Sequence, residues 1–296
     1  MRRLLIIGCG DVVRRALPSL LHHWRVIALV RQHDPVLAGL GVVQLVGDLD
    51  RGRSLDRLAG IADAVLHSAP PPATGEKDPR TTRLLAALGK GKSLPRSLVY
   101  IGTTGVYGDC DGAQIDETRP LAPLSERARR RADAERQLRA FGRRSGCRVV
   151  LLRAPGIYAA DRLPLQRLRA GTPLVRAEED AYTNHIHADD LAAACVAALR
   201  RGAPQRTINV VDDSAIAMGE WFDLLADAFA LPRAPRLDKA AAMAALSPMQ
   251  RSFMGESRRI RNDRLKTELG LRLIHPTVTA GIAAALAGAA GTRAQA

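Results

Sequence analysis

The sequence predicts an α/β protein built on a doubly wound parallel sheet, followed by a smaller C-terminal α/β portion. Short, continuous apolar runs alternate with amphipathic segments in the first half of the chain, which is typical of strands covered by helices on both faces. The predicted strands are 4–8, 25–30, 42–47, 63–69, 97–102 and 148–153, and the predicted helices are 11–22, 52–60, 79–89 and 124–144.

The pattern changes after Arg153, where prolines become frequent and the loops lengthen. This half contains one predicted strand, at 208–212, and three predicted helices, near 189–201, 217–229 and 258–268. We divide the chain into a dinucleotide-binding domain (1–153) and a mainly substrate-binding portion (154–296), from which some strands or helices return to the first domain. The second portion should cover the carboxyl edge of the sheet, where open α/β sheets bind ligands.

The amino-acid composition limits which classes of function are expected for this chain. The 296-residue chain has 47% hydrophobic and 25% charged residues, which is a globular composition, and a formal net charge of +14. The basic excess indicates either a general bias towards arginine or an anionic partner. Aromatic residues make up only 3%, so a nucleic-acid partner is not expected. Scattered cysteines and the lack of a long apolar run predict a cytoplasmic protein with no membrane partner.

A glycine turn follows the first predicted strand. Gly8 permits a tight turn, and Gly10 lets the backbone approach a pyrophosphate at the helix N-terminus. Val13 stands where a third glycine would allow the closest helix–strand packing, so we expect the helix to shift slightly outward. The pattern predicts a Rossmann-type dinucleotide site. The residues of this turn assigned to the cofactor are Gly8, Gly10, Asp11 and Val12.

The edge after the second predicted strand indicates which dinucleotide binds. Arg31 stands there, with His33 nearby, and a cation at this edge suits a 2′-phosphate, so NADP(H) is favoured over NAD(H). The alternative is that Arg31 is one more solvated arginine in an arginine-rich chain. Further cofactor contacts are predicted after the third and fourth strands, at Asp48, Leu49, Ser68, Ala69 and Pro70.

Eight segments in order resemble the short-chain dehydrogenase/reductase superfamily, in particular its extended and atypical NAD(P)-dependent epimerase/dehydratase members. They are GCGDVV, GDLD, VLHSAPPP, YIGTTGVYGD, DETRPLAP, LLRAPGIY, HIHADDLA and INVVDD. The resemblance implies an NAD(P)-dependent oxidoreductase or epimerase/dehydratase-like enzyme with a small, anionic or nucleotide-linked substrate, and it is compatible with a homodimer. It also implies that Pro155 and Gly156 meet the nicotinamide end through their backbone.

The catalytic pair of that family is replaced in this chain. The family combines a Ser/Thr, matched here by Thr103, with a Tyr-x-x-x-Lys on the next helix, where residues one turn apart share a face. If Glu135 matches the glutamate that follows the lysine, Arg131 stands at the lysine position and Arg127 at the tyrosine position. Both arginines stay protonated, so neither can exchange a proton. Arg131 can still hold the nicotinamide ribose, and Arg127 offers a planar fork to a carboxylate or phosphate.

A proton must then move through another group. We rank Tyr107 first, because its motif matches the substrate mouth, followed by His187 or a water held by Thr103. The residues assigned to the substrate are Thr104, Tyr158 and His187. No metal is expected, although His185 and His187 alternate as on a strand. The basic segment 256–270 is predicted to be an amphipathic helix, either solvated or forming a wall of the substrate pocket.

Two other function classes compete with the enzyme. The missing Tyr-x-x-x-Lys is equally expected of a non-catalytic NADP(H)-binding redox sensor or partner-binding module. A basic nucleic-acid-binding protein is suggested by charge alone, and a steep salt dependence of binding would mark it.

Overall fold

The computed structural model describes residues 1–247, 250–251 and 254–293. The first half of the chain alternates strands with helices. Its elements are β1 (Arg3–Ile7), α1 (Asp11–His23), β2 (Arg25–Val30), α2 (Pro35–Gly39), β3 (Val43–Val46), β4 (Ala64–His67), α3 (Pro79–Gly89), β5 (Ser97–Thr103), β6 (Gln114–Ile115), α4 (Glu126–Ser145) and β7 (Arg148–Ala154).

The second half contains shorter strands and further helices. They are β8 (Gly156–Tyr158), α5 (Leu165–Arg169), β9 (Leu174–Val175), β10 (Tyr182–Thr183), β11 (His185–His187), α6 (Ala188–Arg201), β12 (Arg206–Asn209), β13 (Ile216–Ala217), α7 (Met218–Ala228), β14 (Arg236–Leu237), α8 (Lys239–Ala244), β15 (Arg259–Ile260), α9 (Asp263–Thr267) and α10 (Val278–Arg293). None of the helices in the described part of the chain is long and apolar enough to span a bilayer.

Seven parallel strands form the central sheet, in the order β12-β7-β5-β4-β1-β2-β3. The order reverses between β1 and β4, and a crevice for a ligand opens at such a reversal in doubly wound folds. β12 pairs with β7 through residues 206–209, so a strand from the second half completes the sheet of the first. The predicted doubly wound, Rossmann-type fold is therefore confirmed.

Burial on both faces of the sheet explains the continuous apolar runs. Leu4 and Ile6 of β1 belong to a core cluster shared with α1 and α6, whereas Leu5 and Ile7 belong to a cluster shared with α3 and α4. All four side chains have no exposed surface. Successive side chains of a strand point to opposite faces, so a strand covered twice needs apolar residues at every position. Val13 also lies in the first cluster, between α1 and the sheet.

Two predicted helices differ in the structure. The segment 52–60 forms a 3-10 helix over Gly52–Leu58. The predicted helix over 256–270 is wrong in its first part, because Arg259–Ile260 pair with β6 as a parallel strand and the helix is confined to Asp263–Thr267. Backbone hydrogen bonds from 259 and 261 to the carbonyls of 113 and 115 stabilise the extended conformation.

Candidate active site

A cleft of about 970 Å³ opens at the carboxyl edge of the sheet. One side is formed by the N-terminus of α1 and by the residues at the ends of β4, β5 and β7. The other side comes from the second half, including α5, α7 and the residues before β15. Most of the sequence-predicted site residues therefore converge on one space, although they come from distant parts of the chain.

The glycine turn fits a bound pyrophosphate. Gly8 has φ +89°, and a Cβ there would lie 2.6 Å from the backbone nitrogen of Ala69, so only glycine suits the position. A Cβ at Gly10 would meet no protein atom within 4 Å. Gly10 is also the N-cap of α1 and provides no capping side chain, which leaves the helix N-terminus open to an anion. Asp11, Val12, Ser68 and Pro70 line the same cleft.

Ion pairs join the N-terminus of α1 to the second half of the protein. The Asp11 carboxylate accepts from Arg15 at 2.9 Å and from Arg162 at 3.0 Å. Arg15 also pairs with Asp161 and Asp189, each at 2.9 Å. Arg162 lines the cleft but carried no motif in the sequence. These contacts bring the C-terminal portion against the position where the pyrophosphate would lie.

The residues predicted at the adenosine end lie beyond the cleft lining. Arg31 is exposed directly after β2. The pKa of Asp50 is lowered chiefly by its hydrogen bond to Arg80, and the positive charge of Arg31 adds to this effect, so Arg31 is near the end of β3. Asp48 is half-buried and donates its backbone N–H to the hydroxyl of Ser54 at 2.8 Å. Leu49 is buried beside it.

Of the predicted site residues at the end of β5, two face the cleft and one does not. Thr103 and Thr104 line it, and the Thr103 hydroxyl accepts from the N–H of Gly105 at 3.2 Å. Tyr107 is fully buried, and its hydroxyl donates to Oδ1 of Asn209 at 2.7 Å. Burial raises the pKa of Tyr107. The 3-10 turn over Thr104–Tyr107 directs the ring of Tyr107 into the core, so the structure does not place it at the substrate mouth, and its role in proton transfer stays a prediction.

Helix α4 presents arginines where the family pattern has tyrosine and lysine. Arg127, Arg130 and Arg131 all line the cleft. One guanidinium nitrogen of Arg131 donates to the hydroxyl of Tyr100 and to the carbonyl of Ile101, each at 3.0 Å. The pKa of Arg127 is lowered by burial and then by the positive charge of Arg131. This end of α4 therefore concentrates positive charge beside the end of β5.

Further charged groups in the cleft come from segments without a recognised motif. Arg258 donates to the carbonyl of Gly108 and to the Glu256 carboxylate, each at 2.6 Å. Glu256 and Arg258 belong to the segment 256–270, which was predicted to be helical, and no sequence motif identified them as cleft residues. Among the described residues, the cleft arginines outnumber the two carboxylates, Asp11 and Glu256. The cleft arginines are Arg127, Arg130, Arg131, Arg162, Arg167 and Arg258.

The second half lines the cleft with aromatic residues. Pro155, Gly156, Tyr158 and His185 all take part in the lining. The Tyr158 hydroxyl donates to the carbonyl of Thr277 at 3.3 Å. Burial lowers the pKa of His185 to about 3, so its ring is neutral at physiological pH. The second half therefore offers aromatic rings to the cleft beside the charges of Arg162, Arg167 and Arg258.

His187 lies outside the residues that line the cleft. Its Nδ1 accepts from the N–H of Asp189 at 3.2 Å and thereby caps α6, and its ring centroid is 3.8 Å from that of His275. The assignment of His187 to the substrate or to proton transfer therefore stays a prediction, for a ring whose centroid lies 5.2 Å from that of the cleft residue Tyr158. Ligand atoms of His187, Asp189 and His275 lie within 4.8 Å of one another, so His275 rather than His185 is the neighbour of His187. The Asp189 carboxylate is also bound to Arg15.

Comparisons with known proteins agree with this architecture. The model of the NAD dependent epimerase/dehydratase family matches residues 10–210. A functionally unknown conserved protein from Silicibacter pomeroyi is 30% identical, with a TM-score of 0.81 over 98% of this chain and 99% of that chain. UDP-glucose 4-epimerase from Thermotoga maritima, solved with UDP-glucose, is 15% identical, with a TM-score of 0.78 over 98% and 99%.

A third solved structure has the same fold. UDP-glucuronic acid 4-epimerase from Bacillus cereus, in complex with NAD, is 16% identical, with a TM-score of 0.73 over 95% of this chain and 96% of that chain. No curated protein sequence matches the chain. The family model covers more than half of the sequence, from Gly10 onward, and includes Thr103 and helix α4. The chain therefore belongs to the NAD-dependent epimerase/dehydratase family.

Proposed function

We propose that the protein catalyses NAD(P)-dependent oxidoreduction or epimerase/dehydratase-type chemistry on a small anionic or nucleotide-linked substrate. The observation that supports this function is the single cleft, which joins an open glycine turn to Thr103, Arg131 and the wall of the second half. A bound nicotinamide would supply hydride transfer in this cleft. The protein supplies binding, orientation and charge.

Each side chain has a role that follows from its contacts. Gly10 and the N-terminus of α1 hold the pyrophosphate. Arg131, fixed by Tyr100 and Ile101, provides a positive charge beside the nicotinamide ribose. Arg127 binds an oxyanion of the substrate. Because Tyr107 and His187 lie outside the cleft, a water held by the Thr103 hydroxyl transfers the proton.

NADP(H) is the proposed cofactor, because the exposed Arg31 directly follows β2. Calorimetric titration of the wild type with NADPH, NADP, NADH and NAD tests this directly. We expect Arg31→Ala to weaken NADP(H) binding without changing NAD(H) binding. The matched control is Arg25→Ala, which removes an exposed arginine at the opposite end of the same strand and should change neither.

A second variant tests the glycine turn. Gly10→Val places a Cβ where no neighbouring protein atom lies within 4 Å, so folding should tolerate it, whereas the pyrophosphate would lose its space. We expect an unchanged melting temperature and much weaker binding of all four dinucleotides. Unchanged binding in Gly10→Val, or no binding to the wild type, would contradict the proposed function.

A non-catalytic NADP(H)-binding redox sensor is the second candidate function. The observation that favours it is that Tyr-x-x-x-Lys is absent while Tyr107 and His187 do not line the cleft. Tight binding that prefers one redox state, without a change of nicotinamide absorbance for any substrate in a broad panel, would favour the sensor. Turnover of one substrate would favour the enzyme.

A further inference from the structure

Three cleft arginines contain buried donors without an acceptor. The Nε atoms of Arg130, Arg167 and Arg258 are buried and have no hydrogen-bond partner among the described residues. The whole of Arg130 is only 5% exposed. An unpaired buried donor is costly, and the cost is larger for a charged group. A ligand that brings acceptor oxygens into the cleft would remove this cost.

Arg167 is the most isolated of these cations. Its guanidinium carbon lies 4.5 Å from the ring centroid of Phe222, and one nitrogen lies 3.2 Å from the sulfur of Met254. Burial lowers the pKa of Arg167. No carboxylate forms an ion pair with it in the described part of the chain. A buried charge surrounded by apolar groups is unfavourable unless a counter-ion joins it.

The wall around Arg167 is apolar. Met218, Trp221 and Phe222 of α7 line the cleft together with Tyr158 and His185. The ring centroid of Trp221 lies 4.5 Å from that of His185 and 5.4 Å from that of Tyr158. The Tyr158 hydroxyl already donates to Thr277, and the neutral His185 ring leaves its buried Nδ1 without a partner among the described residues, so His185 offers one hydrogen bond on a wall otherwise formed by Met218, Trp221 and Phe222. This wall suits a hydrocarbon body.

We propose that the substrate is an amphiphilic organic acid, whose carboxylate or phosphate-ester group binds the cleft arginines and whose apolar body packs against Met218, Trp221 and Phe222. Arg167 is the specificity residue, because its charge lies on the apolar wall. The proposal takes the cleft of the proposed function as the substrate site and therefore rests on it. It departs from a nucleotide-linked sugar in requiring a hydrophobic body instead of a hydroxylated one.

Titration of the full-length wild-type protein with simple amphiphiles tests this proposal. The probes are straight-chain carboxylates of increasing length, alkyl phosphates of the same lengths, the matching primary alcohols and UDP-glucose. We expect binding of the acids to tighten roughly threefold to fourfold for each added methylene group. The alcohols should bind at least about tenfold more weakly, because they lack charge-assisted hydrogen bonds to arginine. Comparing carboxylates with phosphates identifies the preferred oxyanion.

Two variants locate the site. Arg167→Met should weaken binding of the acids at least about tenfold and leave alcohol binding unchanged. Arg143→Met removes an exposed arginine of α4 and should change neither. Both variants are melted first, and the chain-length and charge dependence of the wild type remains a test even if Arg167→Met fails to fold.

Three outcomes would overturn the proposal: alcohols that bind as tightly as acids, affinity independent of chain length, or UDP-glucose that binds more tightly than any acid. The dinucleotide titration separates this failure from that of the proposed function. Acids that bind to a protein without dinucleotide affinity would sustain the ligand class and remove the proposed function. Dinucleotide binding without acid binding would sustain the proposed function and overturn the proposed ligand class.

Discussion

Arg153, which is buried, and Arg167, which is half-buried, occupy opposite environments. Arg153 of β7 is 3% exposed and forms two hydrogen bonds with Glu135 of α4, at 2.9 and 2.7 Å. Arg167 lies in the cleft against Phe222 and Met254, and none of its nitrogens forms an ion pair within the described residues. The charge of Arg153 is paired with a carboxylate, although its Nη1 has no hydrogen-bond partner among the described residues, whereas the charge of Arg167 is paired with none of the described carboxylates.

The difference separates structural charge from functional charge. Burial opposes the charge of Arg153, but the hydrogen bonds and negative charge of Glu135 outweigh it and raise the pKa of Arg153. Arg167 experiences burial without such compensation, and its pKa is lowered. Removing the partner of a paired buried charge lowers the stability of the protein. An unpaired buried charge already lowers the stability of the wild type. Ligand sites are where proteins carry such costs.

The largest expected effect is on the paired arginine. Glu135→Leu leaves the Arg153 guanidinium buried without a carboxylate, so we expect the free energy of unfolding to fall by about 3–5 kcal/mol. Chemical denaturation measures the loss. The double variant Glu135→Leu/Arg153→Met removes both charges and should recover much of it.

An exposed ion pair provides the control for this prediction. Lys90 and Asp56 pair at 2.7 Å, with side chains 62% and 54% exposed. Lys90→Ala should lower the free energy of unfolding by less than about 1 kcal/mol. A similarly small loss in Glu135→Leu would show that the buried pair contributes no more than a surface pair.

A buried carboxylate without a cation should give an intermediate effect. Asp212 is 3% exposed, its Oδ2 has no partner among the described residues, and burial raises its pKa to about 7. Its pKa in the folded state exceeds the value of 3.8 that applies on unfolding, so the folded protein binds the proton more tightly. Stability is therefore highest below that lower value and falls as the pH rises towards 7.

Asp212→Asn should abolish this pH dependence. Relative to the wild type, the free energy of unfolding of the variant should rise by about 1.4 kcal/mol for each pH unit between the two pKa values of Asp212, which are 3.8 unfolded and about 7 folded. Above the folded pKa, this difference in the free energy of unfolding should stay constant. Melting temperatures measured from pH 4 to 8 test the difference. Asp227→Asn is the control, because Asp227 is exposed and its hydrogen bond to Arg233 lowers its pKa further below this range. A parallel pH profile for Asp212→Asn would contradict the assignment.

The sheet could be predicted from the sequence because burial produces a pattern of apolar residues that is visible locally. Continuous apolar residues such as Leu4 to Ile7 are required wherever both faces are covered, and the glycine turn is required by the φ of Gly8 and the nearness of Ala69. The placement of Thr103 and Arg131 followed from the motif order once the sheet was known. Local pattern therefore sufficed to place the glycine turn and the end of β5 on one side of the cleft.

The other half depends on contacts between distant residues. The inward position of Tyr107 is stabilised by a hydrogen bond to Asn209, 102 residues away, and no local signal in the sequence reports that contact. The segment at Arg258 has helical periodicity but becomes extended because β6 offers free backbone groups. Arg167 looked like any other arginine, since its missing counter-ion is a property of the assembled cleft. An excess of arginine in the sequence did not show which arginines were unsatisfied.

Neutralising Arg167 should give the smallest effect on stability and thus sharpen the comparison with Arg153. Arg167→Met loses the contact with Phe222, worth about 0.5–2 kcal/mol, but it also removes a desolvated charge and its unpaired Nε. A flexible thioether can fill the same apolar space. We therefore expect the free energy of unfolding to change by less than about 1 kcal/mol, as measured by chemical denaturation. A loss as large as that of Glu135→Leu would mean that Arg167 is held by the fold, and that its charge serves structure instead of a ligand.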